Sequence, residues 1–106
     1  MKLITLKETH SATRSATTFT EEYNLAHHSN VSFIISVDNI ADLTISFQVS
    51  PDGVDYFDSN ETVVFVGNHC VVNFVNVIYH SVRLKVVNAN GGAERILTIY
   101  KSKIQK

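Results

Sequence analysis

The chain has 106 residues, a formal net charge of −1 and 44% hydrophobic residues. That is one domain's worth of sequence with enough apolar material for a core, which excludes disordered, collagenous and low-complexity classes. A near-neutral sum also lacks the basic stripe with which nucleic-acid binders neutralise phosphates.

Val, Ile and Thr number 14, 9 and 9. β-branched types fit pleated surfaces and lose rotamer freedom in helices, so strands are expected throughout. Residues 1–18, with Ser and Thr frequent from 9 onward, read as an extended N-terminal arm or edge strand. Phe19 to Asn30 contains Thr20-Glu21-Glu22, a helix-start signal, and reads as one or two helical turns or a long loop. Val31, Phe33, Ile35 and Val37 alternate with polar Ser32 and Ser36, a half-buried strand. Asp38 to Asp42 connects it to Leu43–Ser50, where every odd position is apolar and every even one polar.

Ser50-Pro51-Asp52-Gly53 is a turn: Pro presets φ, Asp bonds nearby backbone and Gly takes positive φ. Val54 to Phe57 is expected as a short return strand, and Glu61 to Val66 as another, closed by Gly67-Asn68. Cys70 to Tyr79 carries Asn73 and Asn76 on opposite faces, which predicts a break or bulge. Val82, Leu84 and Val86 alternate with Arg83 and Lys85. A turn at 88–92 leads to a closing strand over 93–103. The sum is an all-β chain: a single antiparallel β-sandwich domain over 1–106, with about eight strands, jelly-roll or immunoglobulin-like in connection.

Charge is segregated along the chain. Residues 15–82 contain eight acids and no Lys or Arg, while all nine basic residues lie in 1–14 and 83–106. If the terminal strands pair, Lys2, Lys7, Arg83, Lys85, Arg95, Lys101 and Lys103 gather into one candidate interface. The acidic loop Asp52, Asp55 and Asp58 is the complementary feature. With Asn60 it could offer oxygens to calcium, but its spacing is not that of an EF-hand, so turn chemistry is the expected role.

Five histidines and one cysteine raise zinc. Neither His27-His28 nor His69-Cys70 can place two ligands on one strand face, and no structural-zinc spacing occurs, so no cofactor or metal is expected. One cysteine excludes an intramolecular disulfide, and no apolar run reaches the length of a signal peptide or membrane span. No nucleophile-elbow or phosphate-loop pattern is present, so an enzyme is not expected. Tyr23, Tyr56 and Tyr79, exposed together, could stack a sugar. This makes a glycan-binding or host-attachment module the alternative reading.

Ser50-Pro51-Asp52-Gly53 before Tyr56, then Tyr79-x-x-x-Arg83-Leu84-Lys85-Val86 and Thr98-Ile99-Tyr100, resembles small β-sandwich structural proteins of tailed bacteriophages over about residues 30–101. The same turn before an aromatic is similar to the last half of discoidin-like sandwiches, which are longer, often disulfide-linked and secreted. The phage resemblance implies a non-enzymatic virion component: a capsid decoration, cement or fibre-attachment subunit. With one cysteine, a near-neutral charge and no long apolar run, the chain is expected to be made in a host cytoplasm and to dock to copies of itself and to shell or fibre proteins, without nucleic acid or membrane. Charge complementarity between acidic loops and basic strands is the expected means of docking.

Overall fold

Alternation builds the centre of the fold. Within Leu43–Ser50, Ile45, Phe47 and Val49 point inward and are buried, while Thr44 is exposed. Val82, Leu84 and Val86 are buried opposite them, in register Val49↔Val82, Phe47↔Leu84 and Ile45↔Val86. The computed structural model describes residues 2–25, 30–59, 63–74, 79–89 and 93–105. They form nine strands: β1 (Lys2–Ala12), β2 (Thr17–Phe19), β3 (Tyr23–Asn24), β4 (Val31–Val37), β5 (Leu43–Ser50), β6 (Phe57–Asp58), β7 (His69–Phe74), β8 (Ser81–Asn88) and β9 (Arg95–Gln105).

Two antiparallel sheets face each other. One has the order β1-β9-β4-β7; the other has β2-β8-β5-β6, with β3 also on β8. Strands β2 and β3 lie along the same strand in succession, Thr17–Phe19 opposite Val87–Lys85 and Tyr23–Asn24 opposite Val82–Ser81. Counted as one interrupted strand, they leave a nested set of pairs: first with last, second with next to last, and so inward to β5 with β6. That is the connectivity of a jelly roll, one long hairpin rolled into two sheets. It selects between the two connections left open by the sequence.

The core lies between the sheets. Phe33 and Phe47 stand 5.2 Å apart by ring centroids, and Phe74 meets both edge-on at 5.9 and 4.9 Å. Phe47, Ile35, Leu84, Leu97 and Ile99 are fully buried; such side chains contribute about 1.5–3 kcal/mol each by leaving water.

Several expected elements differ. No helix occurs among the described residues of 19–30; a backbone bond from Thr20 N–H to Leu84 O draws the segment onto β8 instead. The return strand after the Pro turn is Phe57–Asp58 rather than 54–57, because Asp52 bends the chain back on itself first. Val63 to Phe65 join no ladder, and Val66 makes only an isolated bridge to His69. Strand β7 ends at Phe74, with Asn73 pointing outward. Residues 75–78 of the run over 70–79 in which a break or bulge is expected, Asn76 among them, lie outside the described residues, as do His27, His28, Asn60, Glu61 and the centre of the 88–92 turn.

Candidate functional site: two outer faces and a buried ion pair

Register and burial sort the candidate basic residues. The terminal strands do pair, Lys2↔Gln105 through Ala12↔Arg95. This places Lys2, Lys7, Arg95, Lys101 and Lys103 in one sheet. Arg83 and Lys85, however, sit on β8 in the other sheet. The expected gathering of all seven does not hold, because strands adjacent in sequence are split between layers in this connectivity.

Lys101 is not a surface group at all. It has the same parity as Leu97 and Ile99, so it points between the sheets and is 5% exposed. Its ammonium is paired with the Glu8 carboxylate, and the two side chains are 6% and 12% exposed. Glu8 also accepts the Glu21 backbone N–H at 3.0 Å, so one carboxylate ties β1 and β9 to the segment joining β2 and β3. His10 Nε2 reaches Thr18 Oγ1 at 2.8 Å and adds a second tie between the sheets. Burial holds the His10 imidazole below its usual pKa, against the opposing pull of Glu8.

The Lys101 and Lys103 ammonium groups lie 5.4 and 5.0 Å from the centroid of the Tyr23 ring, within cation–π reach. Burial pushes the Tyr23 phenol pKa up. Tyr23 faces inward opposite Val82 and is 4% exposed. The three-tyrosine platform is therefore not assembled. Tyr56 is half-buried under Arg83, and of the three only Tyr79 is exposed.

The outer face of the β8–β5 sheet is a charged, cross-linked surface. The Arg83 guanidinium carbon lies 4.2 Å from the Phe19 ring centroid and 4.1 Å from that of Tyr56, so two rings engage one cation. Arg83 Nε donates to Gln48 Oε1 at 2.9 Å, and Gln48 Nε2 donates to Asp58 Oδ1 at 2.9 Å. Lys85 Nζ comes within 3.9 Å of the same Asp58 oxygen. Burial and the Glu22 carboxylate raise the Tyr56 phenol pKa.

The acidic loop is turn chemistry. Asp52 Oδ1 accepts from Val54 N–H at 2.8 Å, Asp55 N–H at 2.9 Å and the Ser50 hydroxyl at 3.1 Å. Those bonds, the backbone ones first, hold the Asp52 carboxyl below its ordinary range. Asp52 and Asp58 are thus engaged by different partners. Among the described residues no group of three or more His, Cys, Asp or Glu is placed to hold a metal. His69 points outward, whereas Cys70 points into the core opposite Ile35.

The outer face of the other sheet is of a different kind. Its cross-strand rows are Lys7–Tyr100–Ile34–Val71, flanked by Thr5–Ser102–Ser32–Asn73 and Thr9–Thr98–Ser36–His69. Ile34 and Val71 are 43% and 58% exposed. Reasoning from charge passed over this face. The signal that marks it is the apolar residue at an even position, Ile34, inside a strand whose odd positions already supply the core.

No known protein family matches the chain, and no curated protein matches it. Its fold is similar to that of the SPBc2 prophage-derived protein YomS, with a TM-score of 0.60, 14% identity and 94% of each chain covered. It is also similar to a solved structure of Bacillus endospore appendages described as disulfide-linked pili. There the TM-score is 0.56 and the identity 10%, over 98% of this chain and 89% of that one. At these identities the likeness is one of fold.

Proposed function

We propose that this protein is a non-enzymatic structural subunit of a phage particle, a capsid decoration, cement or fibre-attachment component that also associates with its own copies. The observation that carries the reading is the end-to-end likeness of fold to a prophage-derived protein, 94% of each chain. The similar fold of an appendage subunit supports an assembly role in general. A disulfide-linked filament is a poor analogy for this chain. Its one cysteine cannot link a subunit to two neighbours, and Cys70 is 3% exposed with burial raising its thiol pKa. The proposed assembly therefore does not run through disulfide links, and Lys101, spent on Glu8, takes no part in docking.

The test is incorporation. An epitope-tagged copy is expressed in the source strain, phage particles are induced and banded on a density gradient, and the fractions are immunoblotted. The tag is expected to band with the particles and to resist washing at moderate salt. A tag found wholly in the soluble fraction, with particles formed normally, overturns the reading.

A further inference from the structure

We infer that the outer face of the β1-β9-β4-β7 sheet is a self-association surface that takes the same face of a second copy of this chain. Six of the thirteen exposed large hydrophobic side chains among the described residues point outward from it: Leu3, Ile34, Val71, Ile96, Tyr100 and Ile104. Among the described side chains on this face, Lys7 is the only Lys, Arg, Asp or Glu. It sits on the outermost strand, at one end of the central row, with its ammonium 5.8 Å from the Tyr100 ring centroid. The opposite sheet turns Arg83, Lys85 and Asp58 outward, so the two faces of one molecule differ in kind. Exposed apolar residues gathered on one face with a single charge mark an interaction surface more than scattered ones do.

Relief and size argue for a second copy. Tyr100, Ile34 and Val71 form a ridge across three strands, and rows rich in Ser and Thr form a furrow on either side. Ridge and furrow alternate every two residues, about 6.6 Å along the strands, so like rows recur about every 13 Å. A two-fold partner presents the same period, so the ridge of each copy can seat in a furrow of the other. Sheets pack in this way at about 10 Å separation, with strands within about 30° of alignment. Strands β1 and β9 have 11 residues each. They make the face about 36 Å long, and four strands make it about 19 Å wide. The four strands cover roughly 550 Å² of flat sheet. Side-chain relief raises that toward the ~800 Å² per partner of a standard interface. The face carries no charge pattern that would select an acidic or basic partner.

The inference concerns the free protein and does not rest on particle docking. Sedimentation velocity on the purified full chain is run up to about 100 µM, where a standard-size interface is populated. The wild-type chain is expected to be a dimer whose association changes little with salt. Ile34→Glu is expected to weaken it about tenfold or more, since a charge is then buried at the ridge. Thr44→Glu, on the outer face of the opposite sheet, is expected to remain dimeric. Val71→Lys repeats the test if Ile34→Glu fails to melt like the wild type. A wild-type monomer at the highest concentration overturns the inference. So does a dimer insensitive to the ridge substitution, or equal dissociation by Thr44→Glu. Particle incorporation is scored separately by immunoblot, so either proposal can fail alone.

Discussion

Replacing Lys101 with Met tests whether its ion pair with Glu8, made within one sheet and buried between the two, holds the jelly roll closed at its β1 edge. The substitution keeps most of the volume and the apolar stem but deletes the ammonium. It leaves the Glu8 carboxylate, 12% exposed, with the Glu21 N–H at 3.0 Å. Stranding one member of a buried pair costs 3–5 kcal/mol in general, because desolvation is no longer offset. The remaining backbone bond and residual exposure of Glu8 place this case at the low end, about 3 kcal/mol. For a chain of this size that corresponds to a fall in Tm of roughly 12–18 °C. Replacing both partners, Glu8→Leu with Lys101→Met, removes the stranded charge and should recover most of the loss. Urea unfolding of the wild type, the two single variants and the double variant closes the cycle. A single variant within about 1 kcal/mol of wild type, or a double variant no better than Lys101→Met, would refute the assignment of Lys101 to the interior.

Gly53→Ala should lower stability by about 1–2 kcal/mol, read as a shift in urea midpoint without a change in slope. Gly53 has φ of +82°, and an added Cβ would lie 2.8 Å from the His80 ring; an unchanged midpoint would mean the turn relaxes freely. Asp52→Asn should flatten the acid limb of the stability profile. The Asp52 pKa is lowered in the fold from an ordinary 3.8, so its stabilisation is complete above that value and is lost as pH falls through the lower folded value. Chemical unfolding between about pH 5 and pH 2 should show the wild type losing more stability than the variant; parallel curves would count against the bond set at Asp52.

Strands with one apolar parity were legible, and strands with mixed parity were not. Strand β5 alternates cleanly, β4 does so but for Ile34 and β8 but for Val87, and their inward residues are the core. Strand β1 points Ile4, Leu6, Glu8, His10 and Ala12 inward. The Glu8 and His10 within that series make the segment read as a polar arm. Its eleven-residue ladder with β9 comes from the far end of the chain. Strand β3 has two residues and is set by its place on β8 rather than by its own composition. Tertiary pairing overrides local pattern in both cases.

The charge arithmetic misled for a related reason. It counts side chains without regard to the face on which they stand. Lys101 continues the inward series of Leu97 and Ile99, so parity alone already argued for burial. Its partner Glu8, 93 positions away in sequence, required the strand register. Three other basic groups are also engaged locally: Arg83 by two rings and Gln48, Lys85 by Asp58, Lys103 by Tyr23. Such groups are less free to meet a partner's acids than a count suggests, since a new contact must first replace one already made. The surface least committed to its own chain is the face with the fewest charges. A subunit that associates through it would dock by shape and apolar burial, and salt would bear mainly on approach.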